Sequence, residues 1–285
     1  MKPKPTIITL CLILFGAIAA QAQELKSFMD DSGKFGYQDD TGKTVIAPIY
    51  EIAYSFSEGL GAVRQNGKFG FINKDGRVVI GYRYEQAYRF SEGLASVMLN
   101  GKFGSIDKTG KIVIAPEFNA ALEFKEGLAV VRQNGKFGFI DKTGKIGIAP
   151  DFDFAASFSE GMAAVKQNDK YGFIDKTGKI VIPLEFNQAG NFSEGMAAVR
   201  QNNKYGFIDK TGKTIIDSLY EEAGEFSEGL AAVKLDGKYG FIDKTGKVII
   251  PPKYDIAGSF KSGKANVLLN DEGFYIDKTG KSIPH

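Results

Sequence analysis

Residues 134–144 read Asn134-Gly135-Lys136-Phe137-Gly138-Phe139-Ile140-Asp141-Lys142-Thr143-Gly144, and the same words return every 34 residues. Gly42, Gly76, Gly110, Gly144, Gly178, Gly212, Gly246 and Gly280 close successive copies with no insertion or deletion. Such a period makes the chain a repeat array, whose units bury a core only against their neighbours. The Asn134-Gly135 pair is a strong two-residue hairpin signal, because a type I′ turn needs positive φ at both central residues. Its counterparts Asn66-Gly67, Asn100-Gly101, Asn168-Asp169, Asn202-Asn203, Asp236-Gly237 and Asn270-Asp271 all use residues that tolerate left-handed backbone.

Working outward, residues 128–133 precede that turn as one strand and Lys136–Asp141 follow it as a second. Phe137 and Phe139 share a face by period-two alternation. Gly138 between them marks a close approach by another backbone or ring. Asp-Lys-Thr-Gly makes a second turn, and residues 145–149 form a third strand that ends at Pro150. Each unit is thus a three-stranded antiparallel meander. A linker of about ten residues follows, carrying an aromatic ring, an alanine three on and a phenylalanine three beyond (Phe152, Ala155 and Phe158 in this copy). That spacing predicts a single helical or 3₁₀ turn. The tetratricopeptide period is the same length, but two turn signals per unit leave no room for two helices.

The reading is an all-β fold, tandem 34-residue repeats of three-stranded antiparallel meanders in an open curved array. A seven-bladed β-propeller, with the linker as a fourth strand, is the alternative. Residues 1–22, with Lys2, Lys4, an apolar run over 7–20 and Ala20-Gln21-Ala22, read as a signal peptide. Residues 23–32 are a lead-in, and 33–285 hold the array of about seven units plus an N-terminal half-unit. The protein is therefore expected to be exported, periplasmic or extracellular, with no membrane span once the leader is removed.

Of 36 lysines and arginines two lie in the leader, which leaves 34 against 34 acidic residues. An even, interspersed balance gives no electrostatic footprint for nucleic acid. The one cysteine, Cys11, leaves with the leader, and the one histidine is His285. Serine triads, cysteine nucleophiles and His/Cys metal sites therefore lack their residues, and no cofactor, metal or catalytic residue is expected. Paired carboxylates, such as Glu126 with Asp141, are the chemistry left over, which would suit a carboxylate-based glycoside hydrolase. Each recurs once per unit, whereas a catalytic pair is a place made unlike its surroundings. Lysines such as Lys102, Lys136 and Lys170 and glutamates such as Glu126, Glu160 and Glu194 are expected to form two stripes of opposite sign that offset each other.

The units resemble WG repeats, also called KWG repeats, in the Gly-Lys-aromatic-Gly-Phe-Ile-Asp-Lys-Thr-Gly-Lys core, the Ile-x-Pro strand end and Phe-Ser-Glu-Gly-Leu-Ala-x-Val. The likeness spans residues 33–281. The namesake tryptophan is replaced by Phe35, Phe69, Phe103 and Phe137, then Tyr171, Tyr205 and Tyr239. The resemblance implies an all-β repeat protein with no assigned enzymatic activity. Between the fixed linker residues the columns vary, and Tyr54, Tyr88 and Arg89 place hot-spot residue types near the N-terminal end. These three are the candidate binding surface of a non-catalytic scaffold for a protein or glycan of the cell envelope. A self-associating structural envelope protein is the alternative.

Overall fold

The computed structural model describes residues 24–283; the leader inferred for 1–22 and His285 lie outside them. The described residues form eight antiparallel sheets in tandem. The first has three strands, Lys26–Met29, Phe35–Gln38 and Thr44–Tyr50, so the lead-in supplies its opening strand. The other seven have four. In one of them Phe154–Ala155, Met162–Gln167, Lys170–Asp175 and Ile180–Phe186 lie side by side in that order.

The fourth strand corrects the helical turn expected in the linker. Phe152 ends the third strand of one unit, Asp153 bends the chain, and Phe154–Ala155 pair with Lys166 and Val165 of the next unit. The ring and the alanine three on still reach the core: Phe152, Ala155 and Phe158 are all buried. Spacing of three comes here from a bend between two strands rather than from a helical period. The hairpin turns form as their residues dictate, with positive φ at Asn134 (50°) and Gly135 (84°) and at each equivalent pair.

The third strand does not stop at proline. Ile146–Phe152 runs through Pro150, because two residues of the second strand (Phe137 to Phe139) span four of the third (Phe152 to Ile148). The surplus bulges out, and a proline is tolerated where no ladder donor is needed. The bulge lies over Gly138. A Cβ there would sit 2.5 Å from the Ile148 carbonyl oxygen and 2.7 Å from the Pro150 nitrogen. In the last sheet Gly273 and Phe274 swap this order, and Phe274 packs its ring 6.3 Å from Tyr254. The third strand described there is only Ser282–Ile283, and no bulge overlies the position among the described residues.

Cores lie between sheets. Phe139, Ile148 and Phe152 of one unit meet Ala155, Phe158, Ala163, Val165 and Ile174 of the next, with the Phe139 and Phe158 rings 4.8 Å apart. Polar clamps repeat beside each core. The Ser159 hydroxyl donates to the Phe192 carbonyl at 2.7 Å, and Gly195 N–H donates to the Glu160 carboxylate at 3.0 Å. Lys210 closes on the same carboxylate at 3.1 Å. The glutamates thus pair with the turn lysines, Lys108 through Lys278, not with the lysine column expected from the sequence. Of that column, Lys136 pairs instead with Asp153 and Lys238 with Asp255. Glu160 holds a left-handed φ of 54°, which costs a side-chain-bearing residue roughly 1–2 kcal/mol. A longer carboxylate is kept there because it reaches the next unit.

Lys125 stands where Ser57, Ser91, Ser159, Ser193 and Ser227 make the hydroxyl bond. Replacing it, Lys125→Ser, should restore a bond to the Phe158 carbonyl and raise stability by about 1 kcal/mol, the net worth of one hydrogen bond. A urea titration of both proteins measures this.

Burial raises the carboxyl pKa of Glu58, Glu92, Glu160 and Glu194, but the facing lysine and glycine N–H outweigh it and hold each below the ordinary glutamate range. Lys278 does the same for Glu228. A carboxylate that binds its proton less readily folded than unfolded stabilises fully above its unfolded pKa of about 4.3. That contribution drains away as pH falls through the depressed folded values. Thermal melts should hold steady from neutrality down to about pH 5 and then drop. Converting Glu160 and Glu194 to glutamine should flatten the drop.

The end faces are polar. Ala62, Val130, Ala164, Ala198 and Ala232 are buried against the following unit, but Asn266 at the same position is exposed. Lys264 replaces the usual leucine or methionine there and sets its ammonium 4.7 Å from the Tyr275 ring centre. At the other end Gln38 replaces a buried isoleucine, and Lys26 pairs with Asp40 at 2.9 Å with both side chains more than half exposed. The first and last sheets therefore do not cover each other, and the array is open. The propeller alternative anticipates the fourth strand correctly.

Candidate functional site

A column of clefts runs along one face, each bounded by successive two-residue strands. The N-terminal cleft, about 380 Å³, is lined by Ile52, Tyr54, Arg64, Phe69, Glu85, Gln86, Ala87 and Tyr88. A middle cleft of the same volume is apolar, built around Leu122, Val130, Phe137 and Phe154. A third, 240 Å³, lies among Glu222, Gly224, Tyr239 and Gly258.

Two of the three residues singled out by sequence come together. Tyr54 and Tyr88 each follow a short strand, Ile52–Ala53 and Gln86–Ala87, whose alanine is buried and whose next residue turns outward. Tyr54 is 40% exposed and lies parallel to Phe69, centres 6.0 Å apart and planes 4° apart. Tyr88 stacks on Phe103 more loosely, centres 6.0 Å apart and planes 29° apart. Arg89 does not join them. Its guanidinium points along the array to Glu123 at 3.3 Å, a link of the kind Asn191 makes to Glu225 at 3.1 Å. Arg89 thus links one unit to the next and lies outside the cleft.

Phe69, Arg64, Glu85 and Gln86 complete the cleft, and sequence reading did not single them out. The usable signal was a covariation. Where the residue after the short strand is tyrosine, at 54 and 88, the repeat's signature ring is phenylalanine, at 69 and 103. Where it shrinks to Gly190 and Gly224, the ring is Tyr205 and Tyr239. The Tyr205 hydroxyl donates to Gln188, and that of Tyr239 to the Glu222 carboxylate at 2.6 Å. Burial, then the Glu222 charge it faces, push Tyr239 up to about 12. That hydrogen bond, with Lys234 beside it, holds Glu222 below its usual range. Covered rings thus carry no hydroxyl, and the uncovered rings of these two units carry a tethered one.

The turn carboxylates face inward on their own loops. Asp141 accepts from Thr143 N–H at 2.8 Å, from the Thr143 hydroxyl at 2.6 Å and from Lys145 N–H at 3.1 Å. Glu126 is 3.0 Å from Lys176. The two carboxyl groups read as a possible pair therefore serve two separate structural tasks. Among the described residues no cluster of three or more His, Cys, Asp or Glu could hold a metal ion, and no helix is long and apolar enough to cross a membrane.

The WG-containing repeat model matches seven consecutive segments: 35–69, 69–103, 103–137, 137–171, 171–205, 205–239 and 239–272. The chain belongs to the WG repeat family. Each WG segment starts on the signature ring of one unit and reaches that of the next, except the last, which ends at Glu272, just before Gly273 takes the ring position. The tryptophan of the name is missing from every copy, yet Tyr205 and Tyr239 return a hydrogen-bond donor to the ring position. No curated protein matches this WG protein.

Among solved structures, a crystal structure of the eukaryotic initiation factor aligns with a TM-score of 0.64 at 13% identity, covering 92% of this chain and 84% of that one. Dihydro-heme d1 dehydrogenase NirN in complex with DHE aligns at 0.55 and 14% identity, covering 92% and 72%. At such identities the likeness is one of all-β fold alone.

Proposed function

We propose that the chain is an exported, non-catalytic WG-repeat scaffold that binds a protein or glycan of the cell envelope on the face carrying the clefts. The observation that carries this is the N-terminal cleft, where two partly exposed tyrosines converge over a volume within the ~300–1,000 Å³ of small-ligand sites. The leader over 1–22 supplies the compartment. Among the described residues every carboxyl group with a shifted pKa is lowered, whereas a glycosidase acid needs one raised, which supports the non-catalytic reading.

Immobilised protein should retain a component of envelope extract or a glycan-array feature. The double variant Tyr54→Ala/Tyr88→Ala should weaken that binding by about a hundredfold or more, since each hot-spot aromatic is worth about tenfold or more. Retention unchanged by the double variant would reject this face.

A second reading, self-association into an envelope structure, draws on the third strands. They form sheet edges and leave Val78, Ile112, Ile146, Ile180 and Val248 between 43% and 51% exposed. Exposed apolar edges invite pairing with another chain. Sedimentation that stays monomeric at high concentration would end this reading.

A further inference from the structure

The three clefts share a frame but differ in the chemistry left unsatisfied. In the N-terminal one the charges are already committed. Glu85 accepts from Asn100 N–H at 3.1 Å and Gly101 N–H at 2.8 Å, and its carboxylate lies 3.8 Å from Lys68. The Arg64 guanidinium lies 3.4 Å from Glu51. The Arg64 Nε is buried and makes no hydrogen bond. Among the described residues the other lining groups without a hydrogen-bond partner are neutral: the Tyr54 and Tyr88 hydroxyls and the Gln86 side-chain amide. These polar groups lie beside two aromatic faces, each stacked on a phenylalanine beneath it. The middle cleft offers almost no polar group, and in the third Glu222 is already closed onto Tyr239 and Lys234.

Flat apolar faces flanked by neutral donors and acceptors match a pyranose ring. Its C–H face lies on an aromatic ring, and its hydroxyls exchange hydrogen bonds with amides and phenols. An anionic ligand would find both nearby cations paired. A purely apolar ligand would bury Gln86 and the tyrosine hydroxyls unsatisfied, at about 1–3 kcal/mol each. We propose that the cleft between Tyr54 and Tyr88 is a subsite for a neutral hexopyranose unit, stacked on tyrosine and hydrogen-bonded by Gln86 and the two phenolic hydroxyls. This rests on the binding face proposed above and names its ligand class.

The test is an array of neutral and uronate-containing oligosaccharides, probed with the wild-type chain and with Tyr54→Ala, Tyr88→Ala, Tyr54→Phe and Gln86→Ala. Tyr54 and Gln86 are exposed, so melting temperatures of their variants should stay close to wild type, whereas Tyr88, half-buried against the Phe103 core, should lower its variant's melting temperature modestly without unfolding it. Neutral glycans should bind in preference to acidic ones, with an affinity that hardly changes between about 0.05 and 0.5 M salt. Each alanine replacement of a tyrosine should cost about tenfold, the worth of one well-placed aromatic contact. Tyr54→Phe should cost less, because the face survives and only a hydroxyl is lost.

Preference for acidic glycans, steep salt dependence, or neutral binding indifferent to Tyr54 and Tyr88 would overturn the assignment. So would the absence of glycan binding. If the chain then captures a protein partner in a way that requires Tyr54 and Tyr88, the pyranose falls while the binding face stands. If capture ignores both tyrosines, both fall.

Discussion

Gly138→Ala should destabilise the protein by about 3 kcal/mol, the upper end of what overpacking costs, although it adds one methyl group. The methyl carbon would lie 2.5, 2.7 and 2.8 Å from the Ile148 oxygen, the Pro150 nitrogen and the Ala149 carbonyl carbon. All three are backbone atoms, so no rotamer change relieves the contact. The bulge would have to lift off the second strand, which also loosens the Phe137–Phe152 pairing. Gly190→Ala is the control. Its φ is not in the left-handed region, and its Cβ would find nothing nearer than 3.6 Å. It should be within about 0.5 kcal/mol of wild type, as surface changes usually are. Paired urea titrations read both; equal midpoints would show that the bulge yields more easily than its geometry implies.

Phe173→Ala should cost about 3–5 kcal/mol, the usual range for a deleted core ring. Phe173 is fully buried and stands 4.8 Å from Phe192 of the next unit, in a core that also holds Ile182, Phe186 and Val199. The loss falls on a junction. Stability in an array is a sum of unit and neighbour terms, so weakening a central junction uncouples the two sides. Denaturation should then change from one transition to two, seen as divergence between far-ultraviolet dichroism and tyrosine fluorescence. Phe154→Ala removes a ring that is 40% exposed, and should leave the melt nearly unchanged. A single transition in Phe173→Ala, merely shifted, would mean that cooperativity passes around the junction.

The repeat and its turns were legible because they rest on local chemistry. Asn134-Gly135 needs only its own φ angles, and Asp141 bonds within five residues of itself. Gly138 was legible as a close approach, though not which backbone approaches. What could not be read involves partners a repeat away. Nothing in Ser-Glu-Gly says that the glutamate will meet a glycine 35 residues on and a lysine 50 residues on. The short fourth strand was hidden because two residues carry no period, and the ring-to-alanine spacing of three mimicked a helical turn. Of the candidate site, the tyrosines were found through variability in a column. Arg89 was grouped with them by proximity in sequence, yet its side chain runs along the array instead of across it.

The polar ends have a consequence for size. A ring of sheets must hold the number of units that closes it, but here nothing has to meet. Length becomes a free variable in steps of 34 residues. Met162 and Met196 both follow Glu-Gly, so excising 162–195 would join like to like and leave each clamp a partner of the same kind. Duplication or loss of a unit would extend or shorten the row of clefts without rebuilding the fold, and recognition could be retuned one cleft at a time.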